Sequence, residues 1–370
     1  MKILITYASA GAGHRKAAEA INNCLKERAG LKVTLIDVLE KANPLFKFSY
    51  TRGYDYLVRC APWLWGWLFW ITANKFLSFL IKPFALLINK INLRPFAGFL
   101  IQEKYDFIIS THFLPPEIAS TLKGSKKINS KLITVITDFK VHPFWIARLT
   151  DFYITASSFT SQILISRGIG QDRIREFGIP IEDKFSKAYD RKALCAKFNL
   201  KEDKFTILLV TGSFGTGPIE EITELLHSEA QVLAVCARNK RLFTRLEQKA
   251  LKNTKAYGFV DNIQELMSVS DMIVTKPGGL TISELLAMEL PPIFISAIPG
   301  QEAGNIEALK TYGLGIEAES VEEVRRIALD YKENPDKLNS LKAIIKKIKK
   351  PYAAEELCNA LCKDSFGPGS

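Results

Sequence analysis

The sequence lacks several chemical signatures, and each absence narrows what the chain can be. Its six cysteines, Cys24, Cys60, Cys195, Cys236, Cys358 and Cys362, form no paired Cys-x-x-Cys motif. The close pair Cys358 and Cys362 falls on one face of a predicted helix without His neighbours. That favours buried thiols over a zinc site, in a reducing, cytoplasmic compartment. Gly11-Ala12-Gly13 is not followed by Gly-Lys-Ser/Thr, so it is no P-loop. It also lacks the third glycine of a dinucleotide fingerprint. No Asp-x-Asp is present, which argues against an obligatory cation bridging a diphosphate, and no metal ligands are assigned. No short-period repeat is visible. No uncharged run reaches the roughly 20 residues of a membrane-spanning helix. The longest such stretch near the tryptophans, Ala61 to Asn74, stops at Lys75.

What is present is a basic globular composition. The 370 residues are 47% hydrophobic and 24% charged, with a net charge of +11. That length suits two or three domains with cores of their own. The charge points to an anionic partner: nucleic acid, a nucleotide substrate or an acidic membrane. Short apolar runs alternate with helical stretches, which predicts an α/β protein with parallel sheets. Strands are expected over Lys2–Ala8, Lys32–Val38, Phe107–Ser110, Lys131–Ile136 and Phe152–Ala156, and a helix over His14–Arg28. The pattern restarts with Phe205–Thr211, Gln231–Cys236, Thr254–Tyr257, Met272–Thr275 and Pro292–Ser296. Two doubly wound, Rossmann-like halves facing across a cleft follow. The first is 1–180. A polar linker spans 181–198, the second half 199–350, and a C-terminal helix with a disordered "GPGS" tail 351–370.

Residues 44–100 interrupt that alternation. Trp63, Trp65, Trp67 and Trp70 fall within eight residues. Lys75, Lys82 and Lys90 recur at near-helical intervals among aliphatic and phenylalanine side chains, and Asp55 is the one acid facing seven basic residues. A cationic, aromatic-rich amphipathic stretch suits the interface of an anionic bilayer. A buried helical hairpin or dimer face is the competing reading. Nucleic-acid binding is disfavoured, because the aromatics are embedded among aliphatics rather than spaced as stacking platforms.

The motifs that carry chemistry sit where strands end. "SAGAGHRKAAEAI" joins the first strand to a helix, and its glycines let the backbone approach a ligand closely. His14 there is a candidate general base, because an imidazole near neutral pKa can take a proton from an acceptor hydroxyl. Asp138 and His142 in "TDFKVH" are second candidates, with a structural role as the alternative for each, since His142 precedes Pro143 and could anchor a loop. "TKPGGLTISE" ends a strand at Thr275 and opens a helix near Thr281, so backbone N–H groups and the Thr281 and Ser283 hydroxyls would meet a pyrophosphate. Glu284, one turn in, could accept from ribose hydroxyls. "PGQEAGN" places Gln301, Glu302 and Asn305 where they could converge on a sugar. "TGSFGTGPIEEI" carries Gly212, Gly215 and Gly217 after another strand, and a base could pack on Gly258-Phe259-Val260.

Taken with "THFLP", "TDFKVHPFW", "FGIPI", "GTGPI" and "CARN", these motifs resemble one family over nearly the whole chain. It is the monogalactosyldiacylglycerol synthase and processive diacylglycerol glucosyltransferase group of glycosyltransferase family 28, within the wider family of the peptidoglycan lipid N-acetylglucosaminyltransferase. The resemblance implies a GT-B fold and inverting transfer of a hexose from a UDP-sugar to a lipid such as diacylglycerol. It implies an N-terminal half that holds the acceptor and a peripheral, monotopic place on the cytoplasmic face of the membrane. It carries the glycine-His turn onto Gly11, Gly13 and His14. The nucleotide elements fall on Gly215, Arg238, Phe259, Val260, Pro277, Gly278, Gly279, Thr281 and Glu284, and the sugar end on Gln301, Glu302 and Asn305. One position departs from the family: Phe214 stands where relatives carry an acid. No cofactor is implied beyond the donor. A UDP-sugar epimerase and a non-catalytic lipid-binding protein are the alternatives. No motif distinguishes glucose from galactose, or sets the number of sugars, the acceptor or the oligomeric state.

Overall fold

The computed structural model describes residues 1–9, 11–363 and 366, apart from the side chains of Tyr54, Asp55, Val58, Arg59, Lys75 and Phe76. The Lys75 side chain and the terminal "GPGS" therefore lie outside the described residues. The chain divides into two compact units. One holds Met1–Glu182, Ile298–Gly304 and the chain from Tyr352 on, and the other Asp183–Ala297 and Asn305–Pro351.

The first unit is built on six parallel strands: β1 (Lys2–Tyr7), β2 (Lys32–Asp37), β3 (Phe107–Ser110), β4 (Lys131–Val135), β5 (Phe152–Ile154) and β6 (Ile174–Arg175). Their order is β2-β1-β3-β4-β5-β6. Ile5 pairs with Ile109 on one side and Leu35 on the other. Period-2 alternation sends Ile3, Ile5, Ile109 and Ile133 to one face, against Ala18, Ile21 and Leu25 of helix α1 (Ala12–Lys26). Leu4, Ile108 and Leu132 point to the other face. Both faces are covered, so the strands read as continuous apolar runs.

Helices α2 (Pro44–Cys60), α3 (Pro62–Ala73), α4 (Lys75–Asn92) and α5 (Arg94–Glu103) form the insertion between β2 and β3. Phe96 and Leu100 of α5 pack on the second face with Ile118 of α6 (Leu114–Gly124), and α7 (Ser158–Ser166) follows β5. The expected strands outrun the observed ones at their C-terminal ends. Ala8, Ile136 and Ala156 stay apolar and buried after the ladder has stopped, because they enter buried loops, whereas Ser296 turns out to an exposed position. The two-residue β6 at the sheet edge carries no periodicity that could announce it.

The second unit opens with a 3-10 turn, Asp183–Phe185, and α8 (Arg191–Lys197). Asp190 caps α8 by accepting from the Lys192 and Ala193 N–H groups. The expected linker 181–198 is thus mostly ordered structure of this unit. Strands β7 (Thr206–Val210), β8 (Gln231–Val235), β9 (Thr254–Tyr257), β10 (Met272–Thr275) and β11 (Pro292–Phe294) form a parallel sheet in the order β11-β10-β7-β8-β9. Helices α9 (Ile219–Leu226), α10 (Lys240–Lys249), α11 (Ile263–Ser268), α12 (Gly279–Ala287), α13 (Gln301–Lys310), α14 (Val321–Glu333) and α15 (Pro335–Ile348) complete the described elements before Pro351.

The expected C-terminal helix is α16 (Ala353–Cys362), and it belongs to the first unit. Leu357, Cys358 and Leu361, with Phe366 beyond, join the core beneath α1. Arg28 donates to Asn359 Oδ1 at 2.8 Å. Cys358 is buried as expected, but Cys362, one turn later, is exposed, as is Cys60. In the last turn Leu361 keeps to the core, while Cys362 beside it faces out.

Candidate active site

In a doubly wound sheet, ligands bind beyond strand C-termini at the point where strand order reverses. In the first unit that point lies between β1 and β3, whose following loops carry His14 and Thr111. Gly11 precedes α1 with φ 88°, a left-handed conformation that favours glycine. His14, in the first turn of α1, is partly buried. Its Nδ1 lies 2.9 Å from the Thr111 carbonyl oxygen and 2.8 Å from Thr137 Oγ1. A carbonyl only accepts, so Nδ1 carries the proton and Nε2 keeps the lone pair. In return, the Thr111 hydroxyl donates to the His14 carbonyl at 2.8 Å. This reciprocal clasp ties α1 to the end of β3. Burial is the main influence on the ring and lowers the His14 pKa, while Asp138 and the Thr111 carbonyl pull it upward. The imidazole is therefore neutral near pH 7, as a proton acceptor must be.

Asp138 is 7% exposed and accepts from Gln301 Nε2 at 3.2 and 3.4 Å. Gln301, expected at the sugar, is thus engaged with the second acid/base candidate. Glu302 Oε2 accepts from the Ile298 N–H at 2.8 Å and steadies the start of α13. His142 has no nitrogen left for proton transfer. Its Nδ1 accepts from the Phe144 N–H at 3.2 Å, and its Nε2 lies 3.2 Å from Thr72 Oγ1, whose own hydroxyl donates to the Leu68 carbonyl. Burial lowers its pKa to about 4. That geometry anchors the loop between β4 and β5 to α3, and it corrects the candidacy of His142 as a base.

Two residues that the motifs did not single out complete this cluster. Thr137 shares the His14 proton, and His112 packs its ring 4.7 Å from that of His14. The signal for His112 was its place in "THFLP", at the end of a strand bordering the switch point.

In the second unit the strand order reverses between β7 and β10. Their loops, Thr211–Gly217 and Lys276–Gly278, are joined by a hydrogen bond from Lys276 Nζ to Thr216 Oγ1 at 3.0 Å. Gly278 precedes α12 with no side-chain cap, and the first turn holds no acid. Those N–H groups and the helix dipole suit an anion. Thr281 is half-buried in that turn, while Ser283 turns its hydroxyl back to the Gly279 carbonyl at 3.1 Å and is not offered to a ligand. Asn305 is fully buried and donates to the Pro277 carbonyl at 3.0 Å, so it holds the turn in place from behind. Glu284 is 7% exposed within α12.

The resemblance places Gly215 among the nucleotide elements, where a glycine could leave room for a ligand. The room is taken by the protein: at φ 58° a Cβ there would stand 2.1 Å from the Cys236 carbonyl oxygen. Asn239 Nδ2 also donates to the Gly215 carbonyl at 3.1 Å. Arg238 lies over the Phe214 ring, 6.0 Å from its centroid. The departure from the family's acid at 214 therefore presents an aromatic face to a cation. Phe259 is 67% exposed, and Val260 is half-buried beside it. Lys276 was not foreseen; its signal was a cation immediately after β10. Among the described residues no group of three His, Cys, Asp or Glu is placed to hold a metal ion.

The insertion shows a different surface. No residue of α3 is buried, and Trp63, Trp67 and Trp70 are 72%, 56% and 65% exposed, with Trp65 half-buried. Phe79, Leu80, Phe84, Leu87, Ile88 and Ile91 extend the exposed apolar surface along α4. Contiguous patches of this kind mark interaction sites. No single described helix is long and apolar enough to cross a membrane, and Pro62–Ala73 with Leu77–Asn92 would do so only as a pair bent by 103°. Lys90 is exposed, but Lys82 is not a surface cation. It is partly buried and donates to the Ile146 carbonyl at 2.9 Å, and burial lowers its pKa. The chain has two doubly wound units, each on a parallel sheet with a glycine turn and a helix N-terminus at its switch point, and its fold is of the GT-B class.

Solved structures share this fold. MurG of Acinetobacter baumannii superposes with a TM-score of 0.61 at 13% identity, over 98% of this chain and 99% of its own. UDP-GlcNAc 2-epimerase from Neisseria meningitidis, bound to UDP-GlcNAc, gives 0.60 at 13% identity, over 98% and 100%. Residues 14–181 match the family described as monogalactosyldiacylglycerol (MGDG) synthase, and residues 187–309 the glycosyltransferase family 28 C-terminal domain. A processive diacylglycerol beta-glucosyltransferase of Staphylococcus aureus (strain MRSA252) is 31% identical over 368 residues, covering 97% of this chain and 92% of the relative. The chain belongs to the monogalactosyldiacylglycerol synthase and processive diacylglycerol glucosyltransferase group of glycosyltransferase family 28, and it is a glycosyltransferase.

Proposed function

We propose that the protein moves a hexose, with inversion, from a UDP-sugar to the free hydroxyl of a diacylglycerol-type lipid. It does so while resting on the anionic cytoplasmic face of the membrane through α3 and α4. The observation that carries this reading is His14, clasped at the switch point with Nδ1 committed to Thr111 and Nε2 basic. The relative's name supplies the acceptor class, and the family 28 C-terminal match supports a nucleotide-sugar donor.

The reaction is a single displacement. The lipid oxygen bonds to the anomeric carbon as the bond from that carbon to the diphosphate oxygen breaks. His14 Nε2 takes the hydroxyl proton, and the leaving UDP carries the electron pair. The uncapped α12 N-terminus, with Lys276 and Thr281 beside it, supports the developing charge. Glu284 and Phe259 are assigned to the nucleoside, and Asp138 to raising the basicity of His14.

The test is incubation with a panel of UDP-sugars and dioleoylglycerol in anionic vesicles, followed by mass spectrometry of the lipids. A hexosyl lipid from at least one donor is expected. If UDP binds but no donor yields such a lipid, the acceptor assignment fails. His14→Ala should keep UDP-sugar affinity by calorimetry and lose transfer by about 100-fold or more.

A further inference from the structure

We propose that His112 is the positioning residue of the transfer site: its ring, standing edge-on to His14, fixes the plane of the base and keeps water from its flank. The proposal rests on the reading of His14 as the base and adds a residue to it.

His112 is 2% exposed, and its ring meets that of His14 at 80° with centroids 4.7 Å apart. Its own orientation is locked from the far side. Nδ1 accepts from the Leu114 N–H at 3.1 Å, at the start of α6, so its proton sits on Nε2. Phe113 lies 4.2 Å from its centroid, Tyr50 of α2 6.2 Å and Trp145 6.5 Å. Trp145 also stands 6.0 Å from His14. The base thus has hydrogen-bond partners on Nδ1 and aromatic rings beside it. A buried histidine whose one fixed nitrogen serves a helix start and whose ring abuts a catalytic imidazole does two separable jobs. Two substitutions separate them.

The groups acting on His14 from neighbouring elements are Thr111 and His112 after β3, and Thr137 and Asp138 after β4. Asp138 favours the protonated ring, while burial disfavours it and dominates. Burial likewise holds the His112 pKa well below the ordinary value, and protonated His14 would lower it further. Removing the His112 ring admits water to His14 and raises its pKa. The acid limb of the kcat profile should then move to higher pH.

His112→Asn places an amide oxygen near the position of Nδ1, so it keeps the acceptor for Leu114 and removes the ring. His112→Phe keeps a ring edge and removes the acceptor. The Asn variant should hold its melting temperature and donor KM, lose about tenfold in kcat, and shift its acid limb upward by about half a pH unit. The Phe variant should melt lower and keep the wild-type limb. An Asn variant with wild-type kcat and limb overturns the proposal. So does parallel loss of stability and activity in both variants with neither limb moved. His14→Ala is run alongside. Full turnover there sinks the base assignment itself, whatever His112 does. Loss of turnover there with an unaltered Asn variant sinks only the positioning role.

Discussion

At the scale of the residue, the two switch points use their side chains differently. The first spends hydrogen bonds on one imidazole, and the second uses missing side chains and cations. Gly215 shows the difference between a glycine that admits a ligand and one that the fold itself needs. With φ 58° and the Cys236 carbonyl 2.1 Å from where a Cβ would be, Gly215→Ala should destabilise the second unit by at least about 2 kcal/mol in denaturant titrations. Its donor KM should rise as the 211–217 loop shifts. The motif made Gly215 visible, but not its reason, because the Cys236 carbonyl comes from a different strand end. His14 was legible as a base from its turn. Its tautomer was not, since that depends on Thr111 and Thr137, about a hundred residues away or more. For His142 the loop-anchoring alternative was half legible: its Nδ1 accepts from Phe144 two residues on, next to Pro143, whereas Thr72, which engages Nε2, is 70 residues away.

At the scale of the element, α3 and α4 combine an exposed apolar face with few outward charges. Trp63, Trp67 and Trp70 changed together to Ser should reduce binding to anionic vesicles by about tenfold or more, while UDP-sugar affinity stays unchanged. Flotation assays and calorimetry measure the two. The spacing of Lys75, Lys82 and Lys90 suggested three equivalent membrane cations. Lys82 breaks that equivalence, because its ammonium serves the Ile146 carbonyl. Lys82→Ala should therefore lower the melting temperature more than the vesicle affinity, and Lys90→Ala the reverse. Most strands were legible because both faces of each sheet are covered and the runs stay apolar. Their ends were less so, since a buried loop such as Ala8 or Ile136 reads the same as a strand.

At the scale of the whole molecule, three histidines are held neutral by burial. His14, His112 and His142 have pKa values lowered from 6.5 in the fold, His142 to about 4. Unfolded, each takes a proton near 6.5, so below that pH the unfolded chain binds more protons than the folded one. Stability is complete above about pH 6.5 and falls as the pH drops toward the folded values. Melting temperatures measured from pH 7 to 5 should decline, and His142→Asn should flatten part of that decline. The helix at the end of the chain was legible as a helix, and its destination was not. Periodicity gives Leu357 and Leu361 an inward face without saying which core they enter.

That destination orders events during synthesis. The sheet that carries His14 is encoded by Glu182, yet helix α16, which closes its underside, is translated about 170 residues later. At ribosomal speeds the first sheet waits roughly ten to thirty seconds for its final layer. A fragment ending at Glu182 should emerge sticky and unstructured, and adding a peptide of residues 352–363 in trans should let it mature. Maturation of the sheet that carries His14 is thereby deferred until α16 has been made.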